Sequence, residues 1–174
     1  MPHALKLHPG SRCDVVTRIE VEVASAGRYQ LTLHYVVWGN VAGLRLPPIT
    51  ASTRTDELWR HTCFEAFVHA PESSAYYEFN FAPSTQWAAY SFSAPRTGMA
   101  PLNEIDPPQI GPQIHPERYE LKVSLALDRL KLGSHLALSA VIEETSGAKS
   151  YWALAHPPGG PDFHHPVGFA LELP

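Results

Sequence analysis

Apolar and polar residues alternate with period two along most of this chain, and helical periodicity is nearly absent, so the backbone is committed to β-strands with one buried face. The clearest case is the opening pair of segments, Val15 to Ala24 and Tyr29 to Trp38. There Ile19, Val21 and Val23, then Leu31, Leu33, Tyr35 and Val37, alternate with polar residues on either side of Ser25-Ala26-Gly27-Arg28. This pattern predicts a hairpin, with Gly27 supplying the positive φ that a short turn needs. Further strands are predicted at 63–69, 76–81, 86–93, 119–127, 136–142, 150–155 and 168–173. Pro47-Pro48 excludes a central strand between 41 and 54, because proline cannot donate to a ladder. Six prolines between Ala94 and Pro116 predict a long irregular excursion, and Leu127 to Gly133 suits one short helical turn ended by glycine. With no helix long enough to cover a sheet, the economical fold is all-β. It is a two-sheet antiparallel β-sandwich, jelly-roll or immunoglobulin-like, of about nine or ten strands, with a closed barrel as the alternative.

At 174 residues the chain suits a single domain, 1–174, at roughly 150 residues per domain. It is 44% hydrophobic and carries seven Tyr and seven Phe, too apolar for disorder, while no apolar stretch reaches the length of a spanning helix. A net charge of -4 without a basic run argues against nucleic acid as a partner. The N-terminal residues lack the apolar core of a signal peptide, so a cytoplasmic location is expected. In a reducing compartment Cys13 and Cys63 are expected to be free thiols.

The segment Trp59-Arg60-His61-Thr62-Cys63-Phe64-Glu65-Ala66-Phe67 and the following Tyr76-Tyr77-Glu78-Phe79-Asn80-Phe81 permit a register argument. Any odd pairing sum puts Phe64, Ala66 and Phe79 on one face and Glu65, Glu78 and Asn80 on the other; a sum of 143 sets Glu65 opposite Glu78. A slip by one residue would mix the faces. The two carboxylates are therefore directly opposed or diagonal neighbours, roughly 5 to 8 Å apart at Cβ. Like charges so close need a cation, a shared proton or a hydrogen-bonded ligand, and Arg60, His61 or Arg96 could supply the positive charge. The competing reading is structural, with both carboxylates holding loop backbone.

Among Trp38, Trp59, Trp87 and Trp152, Trp59 is the candidate for stacking on a ligand ring, because it precedes a strand in a loop; the others read as core. The C-terminal run from His156 to Pro166 holds His156, Asp162, His164 and His165, but its spacing matches no standard zinc pattern, and no metal site is predicted. No nucleophile elbow, phosphate loop, dinucleotide fingerprint or HExxH motif is present, and no catalytic residue is assigned.

The blocks Trp59 to Phe67, Tyr77-Glu78-Phe79-Asn80-Phe81-Ala82-Pro83-Ser84, Trp87-Ala88-Ala89-Tyr90, Tyr119 to Leu127 and Pro161-Asp162-Phe163-His164-His165-Pro166 together resemble the DOMON-like domains. These form a bacterial group in the superfamily of DOMON domains and carbohydrate-binding module family 9. The resemblance implies a β-sandwich whose relatives bind sugars or haem. It points first to a non-catalytic binding module for a carbohydrate or similar polyhydroxylated molecule. The expected site is Trp59, Arg60, His61, Glu65, Glu78, Asn80, Arg96 and His164. A second expectation is a haem b or electron-transfer module with Met99 and His61, His164 or His165 as axial ligands. A third is an enzyme in which Glu65 or Glu78 acts as acid or base.

Overall fold

A computed structural model describes residues 1–27 and 29–174. The alternating segments form strands β1 (His3–Leu7), β2 (Val16–Ser25), β3 (Gln30–Gly39), β4 (Cys63–His69), β5 (Tyr76–Phe81) and β6 (Trp87–Phe92). They are followed by β7 (Ala100–Pro101), β8 (Gln109–Ile114), β9 (Arg118–Ala126), β10 (His135–Glu143), β11 (Lys149–Ala153) and β12 (Leu171–Glu172). Among the described residues there is no α-helix, only short 3-10 turns.

The strands join in one antiparallel sheet, in the order β7-β6-β5-β4-β10-β11-β1-β2-β3-β9-β8, with β12 beside β10. This corrects the expectation of two separate sheets of nine or ten strands. The hydrogen bonding is continuous because β1 changes partner along its five residues: His3, Ala4 and Leu5 pair with β2, while Lys6 and Leu7 pair with β11. That strand was not foreseen, since five alternating residues are too few to stand out.

The sheet curls so that its two halves share a core. Phe64 on β4 lies 5.1 Å from the Tyr35 ring on β3 and stacks at 6.0 Å on Tyr119 of β9. The buried Tyr35 hydroxyl donates to the Glu65 carbonyl at 2.8 Å, tying the halves together at a polar point inside the core. Ile19, Leu33, Phe79, Leu121 and Leu138 fill the space around them. The hairpin of β2 and β3 forms as expected, with Gly27 at φ 80°; Arg28 lies outside the described residues.

The proline-rich excursion contains more order than its composition suggested. β8 pairs along β9 at the margin of the sheet, with Pro112 opposite Leu121. An edge position tolerates a residue that cannot donate to a further strand. The stretch from Leu127 to Gly133 is a plain turn rather than a helical one, closed by the Leu130 amide on the Leu127 carbonyl. A Cβ on Gly133 would come within 2.8 Å of the His69 carbonyl oxygen, and the Gly133 amide donates to that oxygen, so a hydrogen-bonded close approach replaces helix propagation.

Strands β4 and β10 are buried on both faces. The second face carries its own aromatic cluster of Phe67, Tyr76, Tyr90 and Phe92, packed against Leu58, Phe163 and Phe169. Strands covered on both sides lose clean alternation. This covered second face is where the candidate site lies.

Candidate functional site

The β4–β5 ladder pairs Phe64 with Phe81, Glu65 with Asn80 and Phe67 with Glu78. The register is two residues away from a direct Glu65–Glu78 pair. Because the parity is unchanged, both carboxylates still share the second face, as diagonal neighbours. Ser139 of β10 flanks Glu65 on the other side. Loops then rise around this floor: the 3-10 turn Leu58–Arg60, the turn after β6, and the C-terminal segment from Pro161 to His164.

Together they enclose a cavity of about 390 Å³. Its floor holds Glu65, Glu78, Val141 and Tyr151, and its walls hold Trp59, Phe92, Arg96, Met99, Phe163 and His164. Six residues singled out from sequence meet there: Trp59, Glu65, Glu78, Arg96, Met99 and His164. Trp59 is 36% exposed and meets Tyr90 edge-on at 6.1 Å, so part of the indole is open to a ligand. The other tryptophans do not line the cavity. Trp38 lies under Arg18 and Arg118, Trp87 lies under Arg54, and the Trp152 indole donates to Ser150.

The remaining candidates are placed elsewhere. Arg60 pairs with Glu57 at 2.8 Å on the surface. His61 Nδ1 lies 2.7 Å from Glu143, which also takes Arg45, so these three form a separate cluster. His165 Nδ1 accepts from the Val167 amide and caps the turn Pro166–Gly168. Asn80 is fully buried and donates from Nδ2 to Glu78 Oε1 at 3.0 Å, supporting the site without lining it. His156 faces the Lys6 carbonyl. No group of three or more His, Cys, Asp or Glu able to hold a metal is found among the described residues. Cys13 and Cys63 are free thiols.

Electrostatically the floor is unusual. Glu65 and Glu78 are 3% and 4% exposed, and each receives one side-chain hydrogen bond, from Ser139 and Asn80 respectively. Burial, reinforced by the charge of Glu78, pushes the Glu65 carboxyl well above its usual range. Burial likewise raises Glu78 to about 7, against the pull of Asn80 and Arg96. His164 is lowered to about 4, first by burial and then by the Arg96 charge. Its Nε2 lies 3.8 Å from Glu78 Oε2, a spacing that would count as an ion pair only if the imidazole were charged. With His164 at about 4 and Glu78 at about 7, the contact is between neutral groups through mildly acidic pH.

Hydrogen bonds orient the His164 ring. The Arg96 backbone N–H donates to the Tyr76 oxygen at 3.2 Å, and the Tyr76 hydroxyl lies 2.7 Å from His164 Nδ1. His164 Nδ1 is thus hydrogen-bonded to Tyr76, and Nε2 is the ring nitrogen that faces Glu78. Asp162 fixes both loops, accepting Arg96 Nε and Nη2 as well as the His164 amide.

In fold, the chain is similar to carbohydrate-binding modules of family 9. One such module from Caldicellulosiruptor kristjanssonii, in complex with cellotriose, matches with a TM-score of 0.57 at 7% identity, over 91% of this chain and 74% of that one. A module from the same organism in complex with glucose matches at 0.56 and 7%, over 92% and 80%. A protein from Bacteroides uniformis, described as a candidate carbohydrate-binding protein, matches at 0.65 with 15% identity, over 97% and 83%. No family model matches the sequence, and none of the curated proteins does.

Haem fits this residue set poorly. Met99 and His164 do line one cavity, but Nδ1 of His164 is taken by Tyr76 and Nε2 faces a carboxyl. The residues that sequence reasoning missed are Phe92, Val141, Tyr151, Pro161 and Phe163. The available signal was the loss of alternation in Cys63-Phe64-Glu65-Ala66-Phe67-Val68, which marks a strand covered on both faces.

Proposed function

We propose that this protein is a carbohydrate-binding module whose ligand occupies the cavity over β4 and β5, as its DOMON-like resemblance suggests. The observation that carries this reading is the combination, in one cavity of about 390 Å³, of a partly exposed indole with two buried carboxylates. A sugar ring offers an apolar C–H face to an aromatic surface and hydroxyl donors at its rim, the chemistry that Trp59 on one side and Glu65 and Glu78 on the other would accept. The volume lies at the small end of the roughly 300 to 1,000 Å³ typical of ligand pockets, which favours one or two sugar rings over a long chain. The sugar complexes of the structurally similar modules support the same class of ligand.

Calorimetric titration with a panel of mono- and disaccharides tests the reading. Binding is expected, and Trp59→Ala should weaken it about fivefold, the effect of losing roughly 1 kcal/mol of stacking. Unchanged affinity in Trp59→Ala, or no binding across the panel, would refute it. The bound sugars are expected to be recovered unaltered; hydrolysis products that disappear in Glu65→Gln would instead favour acid–base catalysis by the carboxyl pair.

A further inference from the structure

The two buried carboxyls of the cavity floor have no free cation facing them among the described residues, and that gap says what the ligand brings. Glu65 uses Oε2 to accept from Ser139, while its Oε1 takes no hydrogen bond from any described residue, although the side chain is almost completely buried and lines the cavity. Glu78 accepts from Asn80 and faces the neutral His164. Among the described residues Arg96 is the one cationic side chain lining the cavity, and both its Nε and its Nη2 are engaged by Asp162. The titratable neighbours Cys63, Tyr76 and Tyr90 all lose rather than gain ionised character by burial, and none supplies positive charge. Around the pair stand the aromatic rings of Trp59, Phe92, Tyr151 and Phe163. Buried carboxylates require a cation or a proton, and aromatic walls suit a cation as well as a sugar face.

Resting on the carbohydrate reading, we propose that the ligand is an amino sugar, with its ring against Trp59 and its protonated amine held by Glu65 and Glu78. A neutral sugar can hydrogen-bond these carboxyls but cannot replace the protons that burial holds on them. An ammonium group offers three donors and the missing charge together. Without ligand, a proton occupies Glu78 at about neutral pH; an arriving ammonium takes over its role and expels it.

Isothermal titration of the whole chain at pH 7 with glucosamine, glucose, N-acetylglucosamine and cyclohexylamine tests this. Glucosamine should bind about 30-fold more tightly than glucose or N-acetylglucosamine, in which the positive charge is absent. Its binding heat should vary with the ionisation enthalpy of the buffer, reporting proton release. Glu65→Gln and Glu78→Gln, each checked for folding by thermal unfolding, should bring the glucosamine-to-glucose affinity ratio close to one. Glucose or N-acetylglucosamine binding as tightly as glucosamine overturns the amine contact and leaves the carbohydrate reading standing. Cyclohexylamine binding while no sugar binds supports the carboxylate–ammonium contact and overturns the carbohydrate reading. Silence from all four probes overturns both.

Discussion

Relative to the wild-type protein, the Glu65→Gln/Glu78→Gln variant gains stability as pH rises from about 4.5 to 7, and His164→Gln loses relative stability over nearly the same interval. The first sign follows from a carboxyl raised in the folded state. Between the ordinary value of 4.5 and about 7, folded Glu78 holds a proton that the unfolded chain has released, so wild-type stability falls as pH climbs through that window. Glutamine does not titrate, and the variant escapes the loss. Glu78 alone accounts for about 3 kcal/mol of it, and Glu65, raised for the same reason, acts with the same sign. The second sign follows from an imidazole lowered in the folded state. Between 6.5 and about 4 the unfolded His164 binds a proton that the folded one refuses, so its contribution is complete above 6.5 and lost as pH falls. Urea unfolding of the three proteins at pH 4, 5, 6 and 7 gives two difference curves. Parallel or flat curves would mean that the groups are not buried as described.

Phe64→Ala is expected to destabilise the protein by 3 to 5 kcal/mol, the range for removing a fully buried aromatic ring, and to lower Tm by roughly 10 °C. Phe64 is completely buried between Tyr35 and Tyr119, so its removal leaves a hole at the contact between the two halves of the sheet. The neighbouring residue in the chain is Glu65, whose carbonyl accepts the Tyr35 hydroxyl. One face of β4 thus anchors the core while the other presents the cavity floor. Denaturant unfolding measures the loss, and a change below about 1 kcal/mol would show that the halves are not held together at this point.

How far the fold was legible depended on which strands have one wet face. In β2, β3 and β9, polar residues such as Thr32, His34 and Lys122 alternate with buried ones, and their positions follow directly from the sequence. In β4 and β10 both faces are covered, so periodicity identified the strands but not what lies on their second side. The grouping of Glu65 with Glu78 was legible because it depends only on parity, which a two-residue shift preserves. The loop residues were less accessible. Arg60 and His61 sit beside Trp59 in sequence, yet the turn Leu58–Arg60 sends the indole into the cavity while Arg60 turns to Glu57 and His61 to Glu143. Arg96 and His164 are brought in by Asp162 and Tyr76, contacts between distant segments that no local pattern encodes.

The partner change within β1 also has a meaning for synthesis. Lys6 and Leu7 are made long before their partners Ala153 and Trp152. A nascent chain can pair His3 to Leu5 with β2 soon after the hairpin appears, while the other edge of β1 stays open. Until β11 arrives, that edge is a row of unsatisfied amides and carbonyls that a neighbouring chain could capture. Closure of the curled sheet therefore waits for β11, and the Lys6–Leu7 edge sets the interval during which the growing chain is exposed to strand exchange.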